Sequence, residues 1–150
     1  MSKLDNLESK RHSEHRIEQA NKAFNAHDLD RWMDFYAADA VHIQLNQAEP
    51  LRGQAEIRED YRVSTWIPFP DFHFALERVF SENGWVCVQG IFSGTHAGPL
   101  SGLNGEVVAP THRQVRIPLC LVIQLEAGRA VRVYEYGDQL GLLNQLGLIS

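Results

Sequence analysis

The stretch Tyr134–Leu148, which reads YEYGDQLGLLNQLGL, contains the change of hydrophobic period that bears most on the fold. Up to Tyr136, aromatic residues alternate with other residues, which is typical of a β-strand. After Asp138, leucines recur at helical spacing and predict a short C-terminal helix. Asp138 stands at the junction and has two interpretations. Aspartate is a favourable helix N-cap, and a carboxyl group beside a pocket is also a candidate catalytic base.

The composition is typical of a globular protein with one domain. The chain has 150 residues, of which 44% are hydrophobic and 22% charged. This length allows one hydrophobic core and is short for two domains. We expect a single domain over residues 1–150, with residues 1–12 as a frayed polar extension. The net charge of -5 argues against a nucleic-acid partner.

The sequence shows no sign of export or of membrane insertion. The first residues, MSKLDNLESKRHSEHR, lack the apolar segment of a signal peptide. No apolar run approaches the roughly 20 residues that span a bilayer. We therefore expect a cytoplasmic protein without membrane contact. Cys87 and Cys120 lie in apolar strand-like runs and are interpreted as buried thiols rather than a disulfide.

The first half of the chain shows mainly helical periodicity. One apolar stripe runs through Ile17–His27, and a second helix follows Asp28, which can cap it. The segment AVHIQL predicts a short strand. A third helix is expected to begin at Gly53 and to end near Thr65.

The second half predicts strands joined as hairpins. The strand segments are FHFALERVF, GWVCVQGIFSGTH, QVRIPLCLVIQL and AVRVYEYG. Asn83-Gly84 is a strong hairpin turn signal, and His96–Thr111 is rich in Gly and Pro and predicts a loop. Helices followed by an antiparallel meander indicate an α+β fold. We expect a curved antiparallel sheet wrapped around the N-terminal helices as a cone, with an internal cavity for a small molecule.

The turn EAG predicts the register of the last two strands. With Gly128 in the left-handed position of a three-residue loop, Leu125 pairs with Arg129 and Gln124 with Ala130. One face then carries Cys120, Val122, Gln124, Arg132, Tyr134, Tyr136 and Asp138, and the other carries Leu119, Leu121, Ile123, Leu125, Val131 and Val133. Both faces are largely apolar, and the helices can cover only one. We therefore expect a homo-oligomer, a dimer or a tetramer, through the sheet face. The alternative is that the N-terminal segment covers it.

Several motifs resemble those of the SnoaL-like polyketide cyclases, a family of the nuclear-transport-factor-2-like superfamily. They are LRG at 51–53, FPDF at 69–72, GTHAG at 94–98, PTHR at 110–113, EAGRAV at 126–131 and GDQLGLLNQLGL at 137–148. In this order they cover nearly the whole chain after about residue 15. The resemblance implies a cone-shaped, cystatin-like α+β barrel.

The resemblance also implies a chemistry. The cyclases of the family are lyase- or isomerase-type enzymes that close a polyketide ring by intramolecular aldol condensation, without metal or cofactor. Their acid/base is an aspartate after the last strand, which corresponds to Asp138. The hydrogen-bonding position before the last hairpin turn corresponds to Gln124. By analogy with ketosteroid isomerase, Tyr134, His42 or His96 could also hold an enolate oxygen.

Other residues complete the candidate site. Tyr136 flanks Asp138, and Trp66 is a candidate for the cavity mouth. His42 and Gln44 alternate with apolar neighbours, and the sequence does not decide which set faces the cavity. The histidines are scattered, and no H-E-x-x-H or C-x-x-C motif occurs, so no metal site is expected.

The chain departs from the family pattern at three places. The loop 96–111 is longer than usual, His112 replaces a glycine, and Tyr134 stands where a tryptophan is common. These differences concern the substrate more than the fold. The expected function is acid/base cyclisation or isomerisation of an apolar, polyketide- or steroid-like ketone. The alternative is a non-catalytic small-molecule binding protein that uses the same cavity.

Overall fold

The computed structural model describes residues 2–102 and 105–149. The first half contains α1 (Lys3–Asn25), α2 (Leu29–Met33), β1 (Tyr36–Gln44), β2 (Leu51–Arg52), α3 (Gly53–Tyr61) and a π-helical turn (Arg62–Trp66). The second half contains β3 (His73–Glu82), β4 (Trp85–Thr95), β5 (Leu100–Ser101), β6 (Val107–Val108), β7 (Gln114–Glu126), β8 (Arg129–Gly137) and α4 (Gln139–Gln145).

Polar caps determine where the first two helices begin. Residues 3–12 belong to α1 rather than to a frayed extension, because Ser2 and Asp5 form a reciprocal capping box. The Ser2 hydroxyl accepts from the Asp5 N–H at 3.1 Å. As predicted, Asp28 caps α2, where its carboxylate accepts from the Arg31 N–H at 3.0 Å.

The main sheet has six strands in the order β2-β1-β8-β7-β4-β3. Its neighbouring strands are antiparallel except for β1 and β8, which run parallel. The α+β prediction is confirmed, but the sheet is mixed and unclosed rather than a fully antiparallel barrel. The parallel pair brings the N-terminal strand beside the C-terminal one, which joins the two halves of the chain.

The predicted loop between His96 and Thr111 contains a small hairpin. Leu100 pairs with Val108 and Ser101 with Val107. Two-residue strands are too short to produce a periodic signal, which is why the sequence predicted only a loop. Leu100 and Val108 both line the cavity described below.

The β7–β8 turn differs from the prediction. Ala127 and Gly128 both have positive φ angles, 52° and 75°, which makes a two-residue loop, and Leu125 pairs with Ala130. The three-residue register was therefore wrong. A bulge at Val131 then shifts the pairing again, so that Gln124 lies opposite Arg132. The extra residue in the bulge compensates for the shorter turn. Beyond the bulge, the side chains of β7 and β8 therefore share faces as the sequence predicted, with Val122 opposite Tyr134 and Ile123 opposite Val133.

Two of the family-like motifs hold one another in place. The Asp71 carboxylate of FPDF accepts from the backbone N–H and the hydroxyl of Thr95, each at 2.7 Å. These hydrogen bonds hold the pKa of Asp71 below its ordinary value. Ala97 in GTHAG donates its N–H to the Pro68 carbonyl at 2.9 Å. The contacts fasten the segment after α3 to the end of β4, beside the cavity.

His112 lies where the family pattern has a glycine, and the structure gives a physical reason for that glycine. The φ angle of His112 is 58°, in the left-handed region that non-glycine residues rarely adopt. Its N–H donates to the His96 carbonyl at 2.9 Å. The departure therefore carries a local conformational cost.

The cysteines are free thiols within the described part of the chain, as predicted. They are half-buried rather than buried, with the two sulfur atoms 3.6 Å apart on neighbouring strands β4 and β7. Burial, and to a smaller extent the neighbouring Cys120 thiol, raises the pKa of the Cys87 thiol to about 11. Cys87 is therefore protonated and unreactive at neutral pH.

Candidate functional site

A cavity of about 660 Å³ lies between the sheet and the helices. Aromatic side chains make up much of its wall: Phe24, Trp32, Tyr61, Phe69, Phe74 and Phe92. Exposed residues at its rim include Leu45, Asn46, Asp138 and Gln139. The volume is within the range of pockets that hold drug-sized ligands.

The alternation of β7 and β8 determines which side chains reach this cavity. Ile117, Leu119 and Leu121 of β7 line it, and Leu121 lies opposite Glu135 of β8. We call this side of the sheet the inner face. Glu135 is an acidic residue next to the apolar side chains of β7, with a side chain that is 26% exposed. A half-buried carboxyl group in a cavity is a candidate for acid/base chemistry.

His42 lies beside Glu135 in the interior. Its Nε2 is 3.5 Å from Glu135 Oε1, and its side chain is fully buried. Neither ring nitrogen has a hydrogen-bond partner among the described residues, which is unusual for a buried polar group. The parallel pairing of β1 with β8 places Gln44 opposite Glu135 and His42 opposite Val133. His42 and Gln44 are therefore the inward-facing set that the sequence left undecided.

Two tyrosine hydroxyls meet next to this pair. The hydroxyl oxygens of Tyr36 and Tyr61 are 2.7 Å apart, and Tyr61 lines the cavity. Burial raises the pKa of both tyrosines, and the nearby acidic groups of Glu135 and Asp60 raise it further. Both phenols therefore stay protonated and can donate hydrogen bonds. If Tyr36 donates to Tyr61, the Tyr61 hydrogen is free to point to a ligand.

Asp60 is a second acidic residue in the cavity wall. Its carboxylate oxygens accept from Gln44 Nε2 at 3.0 Å and from Gln47 Nε2 at 3.1 Å. Gln44 therefore stands between Asp60 and Glu135, since it is also opposite Glu135 in the sheet. The arrangement brings acidic and amide groups together in the lining of the cavity that also contains the aromatic residues.

Asp138 lies at the cavity rim and caps α4. Its side chain is exposed, and Oδ1 accepts from the Gly141 N–H at 2.8 Å. The helix-cap interpretation is confirmed. The catalytic interpretation stays a prediction. It relied on a desolvated carboxyl group, whereas the Asp138 side chain is exposed.

Gln124, Tyr134 and Tyr136 lie on the opposite side of the sheet, which we call the outer face. Gln124 lies opposite Trp85 of β4, and the Tyr134 ring is 6.4 Å from the Trp85 ring. Tyr136 is 42% exposed. The expectation that these three residues contact a ligand in the cavity does not fit this placement. The sequence grouped them on one face correctly but did not show that the helices cover the other.

Trp66 and His96 also lie behind the cavity wall rather than in it. The Trp66 ring packs 4.4 Å from the Phe72 ring, and its indole N–H donates to the His27 carbonyl at 3.4 Å. His96 is fully buried beside Phe69, with ring centroids 5.7 Å apart. Its Nδ1 accepts from the Thr111 N–H at 3.1 Å. Both residues support the wall without touching the cavity.

His96 makes the stability of the fold dependent on pH. Burial, and to a smaller extent the nearby His112, lowers the pKa of His96 below its ordinary value of 6.5. Below about pH 6.5 the unfolded chain therefore binds a proton that the folded chain does not, and the free energy of unfolding falls as pH falls. We expect His96→Gln to show a shallower loss between pH 7 and pH 5 in urea unfolding. His12→Gln, at an exposed helix position, is the control, and equal slopes in all three proteins would contradict the assignment.

The alternation of the last strand contains a signal for Glu135, although Glu135 is not among the site residues predicted from the sequence. In the predicted strand, Glu135 lies on the same face as Val131 and Val133, because side chains two residues apart share a face. It is therefore a lone carboxyl group on the apolar face. Such a group is costly unless it is paired or functional. Tyr36, Asp60 and Tyr61 had no comparable signal, because their approach to Glu135 depends on the position of α3 against β1.

The described part of the chain contains neither a metal-binding cluster nor a membrane-spanning helix. No group of three or more His, Cys, Asp or Glu side chains there could hold a metal ion. None of the described helices is both long and apolar enough to cross a membrane.

Comparison with known proteins agrees with this architecture. A profile of the SnoaL-like polyketide cyclase family matches residues 15–146, which include all the cavity-lining strands of the main sheet. The chain belongs to the SnoaL-like polyketide cyclase family. No functionally curated protein matches it significantly.

Solved structures share the nuclear-transport-factor-2-like fold of this SnoaL-like protein. A candidate SnoaL-like polyketide cyclase from Jannaschia sp. CCS1 is 19% identical, with a TM-score of 0.81 over 94% of this chain and 95% of that one. IdmH, a candidate polyketide cyclase from Streptomyces antibioticus, is 23% identical, with a TM-score of 0.74 over 90% and 98%. A candidate ketosteroid isomerase from Kribbella flavida is 12% identical, with a TM-score of 0.64 over 87% and 80%. At these identities the likeness shows the fold alone.

Proposed function

We propose that this protein catalyses proton transfer at carbon in an apolar ketone, as a cofactor-independent cyclase or isomerase. The observation that carries the proposal is the Glu135 carboxyl group in an aromatic cavity, 3.5 Å from the buried His42. A carboxylate in such surroundings can accept a proton from carbon next to a carbonyl group. Tyr61, hydrogen-bonded to Tyr36, is a donor for the oxygen on which negative charge develops.

In the proposed cyclisation, Glu135 takes one proton from the substrate and later returns it. The Glu135 carboxylate removes a proton from the carbon next to the ketone, and the resulting enolate is hydrogen-bonded by Tyr61. The enolate carbon then attacks a second carbonyl carbon of the same molecule and forms the new C–C bond. The alkoxide that results takes the proton back from Glu135. One residue thus acts first as base and then as acid.

We assign this role to Glu135 rather than to Asp138. The Asp138 carboxylate is exposed and already accepts a hydrogen bond from the Gly141 N–H at the start of α4. Glu135 is on the inner face and has no such cap. The aspartate expected from the family resemblance therefore remains the second candidate, with a position at the rim.

The second candidate function is ligand binding without chemistry. The same cavity could carry an apolar molecule, and membership of a fold family does not determine catalysis. The position of the Glu135 carboxylate, 3.5 Å from the buried His42 ring in the cavity wall, favours the enzyme, because grouped titratable side chains in a cavity are typical of catalytic sites.

Proton exchange in β-tetralone tests the proposal without knowledge of the natural substrate. We expect the wild-type protein to accelerate deuterium incorporation at the carbon between the carbonyl group and the ring, measured by NMR in deuterated buffer. The rate should saturate with ketone and should be inhibited by β-naphthol, a planar analogue of the enol. Binding of β-naphthol with no exchange above that of an inert protein would favour the carrier function instead.

We also propose that the outer face forms a homo-oligomer interface. Phe80 and Trp85 are 54% and 37% exposed there, and Tyr136 is exposed on the same face. Apolar side chains grouped on an uncovered sheet are typical of an interface between copies.

The oligomer proposal predicts the effect of a charge at Phe80. We expect the wild-type protein to sediment as a dimer or tetramer, and Phe80→Lys to shift it toward monomer because a lysine ammonium would be desolvated at the interface. Leu140→Lys, at an exposed α4 position, is the control. A monomeric wild-type protein, or an unchanged Phe80→Lys protein, would contradict the proposal.

A further inference from the structure

The formal charges in the cavity wall are all negative. The lining residues include the acidic side chains of Asp60, Glu135 and Asp138, and none of the described lining residues is Lys, Arg or His. The four residues outside the described part of the chain carry no basic side chain either. A protonated His42 would offset only one of the three acidic groups. An anionic ligand would therefore meet net repulsion in this cavity.

Three arginines near the cavity elements have partners outside the cavity. Arg58 pairs with Asp30, and Arg62 pairs with Glu59 at 2.7 Å on the outer side of the helix. Arg132, on the outer face of β8, donates to the Tyr134 hydroxyl at 3.4 Å. Each of these three cations has a partner on the protein surface, and none of the three lines the cavity.

The uncharged part of the wall is also suited to a cation. The rings of Phe24, Trp32, Tyr61, Phe69, Phe74 and Phe92 line the cavity. The faces of aromatic rings carry negative electrostatic potential and attract ammonium groups, most strongly where water is excluded. Trp32 and Tyr61 are both nearly fully buried, with exposures of 8% each.

The proposed reaction adds a third reason. An enolate develops negative charge close to Asp60 and Glu135, the two acidic groups that raise the pKa of Tyr61. Glu135 becomes neutral when it takes the proton, but the Asp60 carboxylate remains close to the negative charge of the enolate. A positive charge on the substrate itself would offset this repulsion as the enolate forms.

We propose that the cavity takes an apolar, ring-containing ketone that carries a protonated amino group. The acidic wall around Asp60 and Glu135 binds the ammonium group, and the aromatic wall binds the ring system. This inference rests on the proposed function, because it concerns the same cavity, and it excludes carboxylic acids and phosphorylated molecules as preferred ligands.

A matched set of three fluorescent probes tests the charge preference. Pyrenylmethylamine, pyrenylmethanol and pyrenecarboxylate share one ring system and differ in charge. We expect the amine to bind at least about 10-fold more tightly than the alcohol, and the carboxylate at least about 10-fold more weakly, by fluorescence anisotropy. Equal affinity of amine and alcohol, or tightest binding of the carboxylate, overturns the inference.

Variants locate the effect in the acidic wall. Asp60→Asn and Glu135→Gln should each reduce the advantage of the amine over the alcohol by about 3-fold or more, while the affinity for the alcohol stays nearly constant. Glu59→Gln makes the same change in net charge one position away, on a residue paired with Arg62 outside the cavity. An equal loss in Glu59→Gln overturns the assignment to this wall.

The two proposals fail in different ways. If β-tetralone exchange is catalysed but the amine has no advantage, the inference about charge is wrong and the proposed chemistry stands. If none of the three probes binds and no exchange is catalysed, the cavity is not a ligand site and both proposals are wrong. If the amine is preferred without exchange, the cavity is a cation-selective binding site and only the catalytic proposal is wrong.

Discussion

Glu135→Gln is expected to lower the rate of β-tetralone exchange by about 10²–10⁴-fold, because it removes the proposed general base. Glutamine has nearly the shape of glutamate, so the packing around Leu121 and His42 should be retained. The uncharged amide cannot accept the proton from carbon. The measurement is the initial rate of deuterium incorporation, with β-naphthol affinity as evidence that the cavity is intact.

Asp138→Asn is the matched comparison. Asparagine is as good an N-cap as aspartate, so the hydrogen bond to Gly141 and the start of α4 should survive. We expect its exchange rate to stay within about 10-fold of wild type, since Glu135 is the base in the proposed mechanism. The reverse order, with Asp138→Asn the more damaged protein, would return the catalytic role to the aspartate that the family resemblance indicated.

Phe72→Ala is expected to lower the free energy of unfolding by about 3–5 kcal/mol. Phe72 is 2% exposed, and its ring lies 4.7 Å from the Phe24 ring and 4.4 Å from the Trp66 ring. It also stacks on His27 at 4.0 Å. Truncation leaves a cavity bordered by these rings, which the neighbouring structure fills only in part. The loss is a large part of the roughly 5–15 kcal/mol that stabilises a domain.

Urea unfolding followed by circular dichroism measures this loss. Phe72→Leu keeps most of the volume and should lose about 1.5 kcal/mol or less. Leu140→Ala, at a position that is 68% exposed, should change stability by less than about 0.5 kcal/mol. All proteins are compared at one concentration because oligomerisation would couple to unfolding. A loss below about 1.5 kcal/mol in Phe72→Ala would mean that the site collapses without a cavity.

Local patterns in the sequence predicted most of the elements. The Asn83-Gly84 turn joins β3 and β4, with positive φ angles of 51° and 81°, because these residues tolerate the conformation that such turns need. Asp28 was recognised as a cap, and Asp138 as one of two alternatives a cap, from the same kind of short-range chemistry. Helix α3 ends at Tyr61 and continues as a π-helical turn, a difference of a few residues that periodicity does not resolve.

The register of β7 and β8 shows how local reasoning can fail without losing the faces. The turn contains two residues instead of three, and the bulge at Val131 compensates for the shift. A bulge has no simple sequence signal, because it is stabilised by the pairing on both sides. The assignment of side chains to the two faces was therefore correct, with Leu121 on one face and Gln124 on the other.

The sequence alone determined the α+β class, the order of the longer elements, the cap of α2 and the two sets of side chains on the last strands. These features depend on residues that are close along the chain, where turn chemistry and hydrophobic period act directly. The tertiary structure decided which of the two sets faces the cavity, because that depends on where α1 and α3 pack. It brought Glu135, His42, Tyr61 and Asp60 together through the parallel pairing of β1 with β8, a contact between the two ends of the chain that no short-range pattern encodes.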